Sequence, residues 1–128
     1  MVRGGFLPSD DALMYPYHIP ANAMAVVELR ETAAMLRVIF ADHPGAKDVA
    51  TEAAALADEI DGGIKAHGTV RHPVSGAVVL ASQVDGYGNA FFGDDANIPS
   101  LVSKPTPVTA TVTVPHRHQD PPSCIGPI

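Results

Sequence analysis

The spacing of apolar and polar positions changes several times along the chain, and each change marks an element. The opening stretch, Phe6 to Asp11, has no period. Its Gly and Pro punctuation reads as a loop that continues through Tyr15-Pro16-Tyr17-His18-Ile19-Pro20, because a residue before proline avoids the helical region. From Ala21 to about Ala41, Met24, Val27, Met35, Val38 and Ile39 recur near helical spacing, with alanine between them and Glu28, Arg30, Glu31 and Arg37 on a polar face. This predicts a helix of about five turns with Asn22 as its cap. His43-Pro44-Gly45 breaks it, and a second helix is predicted from Lys47-Asp48, where an acidic side chain suits the positive end of the helix dipole. Its apolar stripe is Val49, Ala53, Leu56, Ile60 and Ile64, and Gly68 stops it. Two helices of similar length joined by a short loop pack as an antiparallel hairpin.

After Gly68 the period becomes that of a strand. Thr69 to His72, a turn over Pro73 to Gly76, and Ala77 to Ala81 predict a small β-hairpin. Gln83 to Asn89 is a glycine-rich loop, and Gly93 to Val102 reads as the beginning of a third helix. From Pro105 the composition shifts to Pro, Thr and Val, which cannot continue a helix and has too few large apolar residues for a core. The expected organisation is therefore one domain over residues 1–104 and a disordered tail over 105–128. Because the chain opens inside a loop and its last helix is cut short, it is expected to be an internal piece of a larger protein.

Composition sharpens the fold class. Aromatics make up 5% of the 128 residues and Trp is absent, so the core is built from Ala, Val, Leu, Ile and Met, which favours helices over a sandwich. The net charge is −6 and the eight Lys and Arg residues are scattered, which argues against nucleic acid, since phosphate neutralisation needs clustered cations. No apolar run is long enough for a membrane span, and Met1-Val2-Arg3-Gly4-Gly5 has no signal-peptide core. The lone Cys124 cannot form an internal disulfide.

Two acidic doublets carry the candidate chemistry: Asp10-Asp11 after Pro8-Ser9, and Asp94-Asp95 before Ala96-Asn97, each read as standing at the mouth of a helix. Adjacent carboxylates repel, which can keep a proton available for general-acid work; the commoner use of such a pair is helix capping. Tyr15, Tyr17 and Tyr87 could stack on a sugar face, although packing is the commoner role for a half-buried tyrosine. Asp85-Gly86-Tyr87-Gly88-Asn89 has oxygens that suit calcium, but it lacks the spaced carboxylates and closing Glu of a calcium loop. His116 and His118 stand in the proline-rich tail without further ligands beside them, and His18, His43, His67 and His72 are scattered at element ends. Gly86-x-Gly88 lacks the third glycine of a dinucleotide fingerprint, and no Gly-x-Ser-x-Gly occurs, so neither phosphate-binding cofactors nor a serine nucleophile is expected.

Taken jointly, four segments resemble glycoside hydrolase family 125. They are Pro8-Ser9-Asp10-Asp11-Ala12; Tyr15-Pro16-Tyr17-His18-Ile19-Pro20-Ala21-Asn22; Val84-Asp85-Gly86-Tyr87-Gly88-Asn89; and Asp94-Asp95-Ala96-Asn97-Ile98-Pro99-Ser100-Leu101. They stand in the family's order, with the helical hairpin between the second and third, and cover residues 4–104. The resemblance implies an all-α fold, a fragment of an (α/α)6 barrel, with the antiparallel helix hairpin and a small β-hairpin. It implies a metal-independent, exo-acting α-1,6-mannosidase of inverting mechanism, with no cofactor and a mannose-containing oligosaccharide as its partner. The general acid maps to Asp10 or Asp11, and Asp85, Asp94, Asp95 and Asn97 would line the sugar pocket. The family's general base is a glutamate in a later segment that this sequence does not contain, so the chain is expected to be inactive alone. His18 stands where an apolar residue is expected and Ala21 where serine is common. The alternatives are a non-catalytic helical module that binds carbohydrate or protein, and a pseudogene product with no function of its own.

Overall fold

The computed structural model describes residues 1–102; the expected tail, with His116, His118 and Cys124, lies outside the described residues. In chain order the elements are β1 (Tyr17–His18), α1 (Ile19–Ile39), α2 (Ala46–Gly63), a π-helical turn (Ile64–Gly68), β2 (Thr69–Arg71), β3 (Val78–Leu80), β4 (Gln83–Val84) and β5 (Ala90–Phe91). The protein is thus mostly helical, with the predicted helix hairpin and β-hairpin in place. No helix of the described residues is long and apolar enough to cross a membrane.

The two helices meet through small side chains. Ala23, Val26 and Ala33 of α1 are buried together with Ala46, Ala50 and Ala57 of α2, and Ile60 and Ile64 fill the end where the strands begin. Alanine at these positions lets the backbones approach closely and favours the helix at the same time. Gly68, the last residue of the helical stretch, packs closely on Ile19: a Cβ there would stand 3.1 Å from Cδ1 of that residue. The Gly68 carbonyl then accepts the Ala81 N–H, which ties the end of the helical stretch to the strand region.

Three expectations are corrected. The stripe of Met24, Val27, Met35, Val38 and Ile39 is not the face that meets α2: Val38 is 80% exposed and Ile39 66%, and Met24 and Met35 are also exposed. The buried Ala23, Val26 and Ala33 lie roughly half a turn around the helix from Met24 and Met35. In the second helical stretch likewise, Ile60 of α2 and Ile64 of the π-helical turn are buried while Val49 and Leu56 are exposed. Asn22 does not cap α1, which begins at Ile19 behind the extended His18, with Pro20 in its first turn. The Asn22 side chain is buried and accepts the Val2 N–H at 2.7 Å while donating to the Val2 and His18 carbonyls, so it pins the N-terminal segment to the helix. The third correction is the absence of a helix over residues 93–102, which form bends.

The segment from Gln83 onward also holds more order than a loop. β4 pairs antiparallel with both β1 and β5, giving a three-stranded sheet of order β1-β4-β5 with Tyr17 opposite Val84 and Gln83 opposite Phe91. β2 and β3 form a separate antiparallel pair.

One ion cluster bridges the helices. Asp61 on α2 accepts from Arg30 of α1 at 3.1 Å and from Lys65 at 2.9 Å, and its side chain is 10% exposed against 38% and 56% for its partners. Burial pushes the Asp61 carboxyl up, but the bonds from Lys65 and Arg30 outweigh it and hold it below its ordinary value. A depressed carboxyl stabilises the fold above the unfolded-state range near pH 4, and the stability is lost as pH falls through that range, because the unfolded chain takes up the proton first. Asp61→Asn should cost about 1–2 kcal/mol at neutral pH, discounted for the exposure of its partners, and should flatten the acid limb of a urea-stability profile. Asp58→Ala removes only a 75%-exposed partner of Arg30 and should change stability by less than about 0.5 kcal/mol.

Candidate functional site

The first acidic doublet rides on the tip of an antiparallel loop. Gly4 donates to the Pro16 carbonyl and Leu13 to that of Gly5, while Phe6 and Ala12 form a bridge. At the tip the Asp10 N–H donates to the Leu7 carbonyl at 3.0 Å and the Leu7 N–H to that of Asp11 at 2.8 Å. Pro8 supplies the fixed φ that the second position of such a turn favours. Asp10 is left-handed at φ 67°, a conformation that aspartate tolerates better than most residues and that a two-residue turn followed by one left-handed residue requires. Asp10 and Asp11 are both exposed, and neither stands at a helix start: α1 begins at Ile19. The capping reading is therefore set aside for this doublet.

The second doublet folds its own loop. Asp94 Oδ2 accepts the Leu101 N–H at 2.7 Å, and Asp95 Oδ1 accepts both the backbone N–H of Asn97 at 3.2 Å and its side-chain amide at 3.0 Å. These carboxylates serve a turn within the described residues, where the sequence suggested a helix. The Ile98-Pro99 peptide bond is cis.

The two loops touch. The Ser9 N–H donates to Asp95 Oδ2 at 3.1 Å, across 86 positions of sequence, and the Ser9 hydroxyl donates to Asp11 Oδ2 at 3.3 Å. Ser9 thus links a carboxylate of each doublet. Burial works upward on the Asp95 carboxyl, but the Asn97 and Ser9 donors prevail and hold it below its ordinary value. The loop that carries Asp10 and Asp11 and the loop that carries Asp94, Asp95 and Asn97 therefore meet at Ser9.

Asp85 is engaged within its own turn. Its Oδ1 accepts the N–H groups of Tyr87 and Asn89 at 2.7 and 3.1 Å, and its Oδ2 accepts the Asn89 amide at 2.6 Å. The Asn89 side chain first, then the Tyr87 N–H, hold its carboxyl below the ordinary value. Both oxygens are engaged in shaping the turn between β4 and β5, which positions Tyr87 rather than presenting Asp85. Tyr87 itself is 90% exposed among the described residues.

Gln83, which sequence reasoning passed over, positions the site, and His18 lies opposite it in the sheet. Gln83 is 1% exposed on β4, and its Oε1 accepts the N–H groups of Met14 at 2.8 Å and Tyr15 at 3.1 Å, clamping the base of the acid-bearing loop to the sheet. His18 on β1 is 3% exposed, and its Nε2 finds no partner among the described residues. Burial pushes the His18 imidazole below its ordinary value, against the opposing pull of Asp94 and then Asp95. Its orphan nitrogen is the local packing cost expected of a histidine at an apolar position. No sequence signal marks Gln83, since a polar residue in a strand pattern ordinarily faces solvent.

Comparison with known proteins places this geometry. The chain is 49% identical over 105 residues to the meiotically up-regulated gene 157 protein of Schizosaccharomyces pombe, a match that covers 82% of this chain and 19% of that protein. Among solved structures it is similar to a metal-independent α-mannosidase of Streptococcus pneumoniae in a non-productive complex with α-1,6-mannobiose. That match has 39% identity and a TM-score of 0.70, covering 81% of this chain and 24% of the bacterial one. The chain therefore spans about a fifth to a quarter of the length of these relatives. The sequence model of the metal-independent α-mannosidases matches residues 1–116, and the chain belongs to that family, glycoside hydrolase family 125.

Proposed function

We propose that this chain supplies the acid-bearing part of an exo-acting, inverting α-1,6-mannosidase site and does not turn over alone. The observation that carries the reading is the Ser9 N–H to Asp95 Oδ2 bond, which joins the two acidic loops of an α-mannosidase family member at one place. In this reading Asp10 or Asp11, exposed at the loop tip, protonates the leaving glycosidic oxygen. Asp94, Asp95 and Asn97 accept and donate hydrogen bonds to mannose hydroxyls, and Asp85 acts through the loop it shapes. An inverting enzyme needs a second carboxylate roughly 6.5–9.5 Å from the acid to activate water. That base is assigned to the part of the fold that lies beyond the fifth to quarter this chain spans. General-base assistance is worth about 10²- to 10⁴-fold, so its absence alone suppresses turnover.

The test is calorimetric titration of the purified chain with α-1,6-mannobiose, with maltose as control, alongside an assay for free mannose. Saturable binding of mannobiose at about millimolar affinity, with no binding of maltose and no mannose released, is the expected result. Mannose release would overturn the inactivity, and equal binding of both disaccharides would overturn the mannoside reading.

A further inference from the structure

We propose that one side of the α1–α2 hairpin, centred on a groove walled by Leu36, Phe40 and Val49, docks a basic amphipathic helix of another protein chain. The groove has a volume of about 350 Å³, within the range of concave binding sites, and Pro44 and Gly45 of the interhelical turn also line it. Phe40 is 44% exposed there and Val49 54%. Leu56, two turns beyond Val49 on α2 and 44% exposed, extends the apolar strip.

The hairpin sorts its side chains. Arg30 pairs with Asp58 and Asp61, and Lys65 with Asp61, so an ion cluster spans one side of the two helices. Leu56 and Asp58 are two residues apart, which sets them about 200° apart around α2 and turns Leu56 and Val49 away from that cluster. The charged side is thus satisfied internally, whereas the apolar side is open among the described residues. An apolar patch of this kind, rimmed by polar residues, marks a docking surface.

The walls decide the shape of the occupant. Both are helices, whose backbone N–H and C=O groups bond along their own axes, so a strand laid on this side would gain no main-chain hydrogen bonds. Recognition rests on side chains alone. A helix presents apolar side chains at i, i+3, i+4 and i+7 along one stripe, which suits a groove between two other helices.

Charge decides its composition. Residues 19–63 carry eight Asp and Glu against three Lys and Arg, so the hairpin holds a net −5 of the chain's −6. Two of the three cations are already committed: Arg30 to the ion cluster, and Arg37 to the Ala50 carbonyl at 3.3 Å. Asp42, Asp48 and Glu52 enter no ion pair among the described residues, and Glu52 stands three positions from Val49 and four from Leu56, beside both on the helix surface. A second copy of this chain would set two acidic hairpins face to face, and an anionic lipid surface would be repelled in the same way. A helix with Lys or Arg flanking its apolar stripe gains from both the groove and the rim. This inference does not rest on the mannosidase reading, and either can fail without the other.

The experiment is fluorescence anisotropy of the whole chain with a labelled Leu–Lys peptide of about 18 residues at helical spacing, long enough to form a helix, and with a Leu–Glu peptide of the same pattern. The Leu–Lys peptide should bind at about 10 μM and the Leu–Glu peptide at least about tenfold more weakly. Val49→Asp and, separately, Leu56→Asp should each weaken binding of the Leu–Lys peptide about tenfold with the circular dichroism unchanged, although each adds a negative charge. Val74→Asp places the same charge at an 89% exposed position between β2 and β3 and should alter the affinity by less than about twofold. Binding that Val49→Asp and Leu56→Asp leave unchanged or tighten would mean contact through charge alone, and equal affinity for the two peptides would remove the charge selection; either result overturns the proposal. Failure of the Leu–Lys peptide to bind would do the same. So would sedimentation equilibrium showing a dimeric free chain and a monomeric Val49→Asp variant, which would give this side of the hairpin to a second copy.

Discussion

Replacing Ile19 with alanine should cost about 3–4 kcal/mol and leave much of the chain unfolded at 37 °C. Ile19 is fully buried at the first turn of α1, where its side chain packs against Gly68 and Ile64 and its N–H donates to the Ser82 carbonyl at 2.8 Å. It is therefore the point at which the helix hairpin and both small sheets meet. Isoleucine-to-alanine changes in cores cost about 2–5 kcal/mol, the lower part from lost transfer energy and the rest from the cavity left behind. Collapse into the space is hindered because the neighbours are backbone at Gly68 and a second branched side chain at Ile64. Domains are typically stable by only about 5–15 kcal/mol, and one that leaves Met35, Val38, Ile39 and Val49 in water belongs at the low end. Urea denaturation followed by circular dichroism measures the loss. Val38→Ala, at an 80% exposed position on the same helix, should change stability by less than about 0.5 kcal/mol. A cost at Ile19 no greater than at Val38 would mean that the core is not organised around this residue.

That contrast shows what the sequence could and could not disclose. Helical spacing located α1 and α2 to within a few residues, because long periodic segments between Pro and Gly breaks admit little else. It could not say which side of α1 meets α2. Large residues dominate any count of apolar positions, yet the hairpin contact is made by Ala23, Val26 and Ala33, whose small size allows close approach. Met24, Met35, Val38 and Ile39 form a second apolar face, so a periodic stripe identified the helix correctly and its hairpin partner wrongly.

The sheet was invisible for a different reason. β1, β4 and β5 have two residues each, too few for alternation to register, and the pairing of β1 with β4 joins residues more than sixty positions apart. The helix expected over residues 93–102 failed because Asp94 and Asp95, which resemble capping residues, bond instead to Leu101, Asn97 and Ser9. The same local chemistry serves a helix start or a free-standing turn, and only the tertiary contact with Ser9 distinguishes them. What was legible of the site was the pair of doublets. The residues that hold them in place were not, since Gln83 acts through a buried amide that no motif announces.

Gln83→Met should separate the acid-bearing loop from the rest of the protein. Methionine matches the length and volume of glutamine and keeps the packing at this 1%-exposed position, but it removes the acceptor for the Met14 and Tyr15 N–H groups. Each of those bonds contributes about 1 kcal/mol, and part-buried donors left unpaired add to the cost, so the expected loss is about 2–3 kcal/mol. The loss falls unevenly. Amide exchange at Met14 and Tyr15 should accelerate toward that of an open loop, and the Ser9 N–H should lose its protection as its bond to Asp95 weakens. Exchange in the α1–α2 interface should change only by the global destabilisation, because Ala33 and Ala50 lie outside the clamp. In the same variant the mannobiose response at Ser9 to Asp11 should fall, because the bond from Ser9 to Asp95 weakens with the loop. Uniform acceleration of exchange across both helices and the loop would show instead that Gln83 is an ordinary core residue, with no particular hold on the segment that carries Asp10 and Asp11.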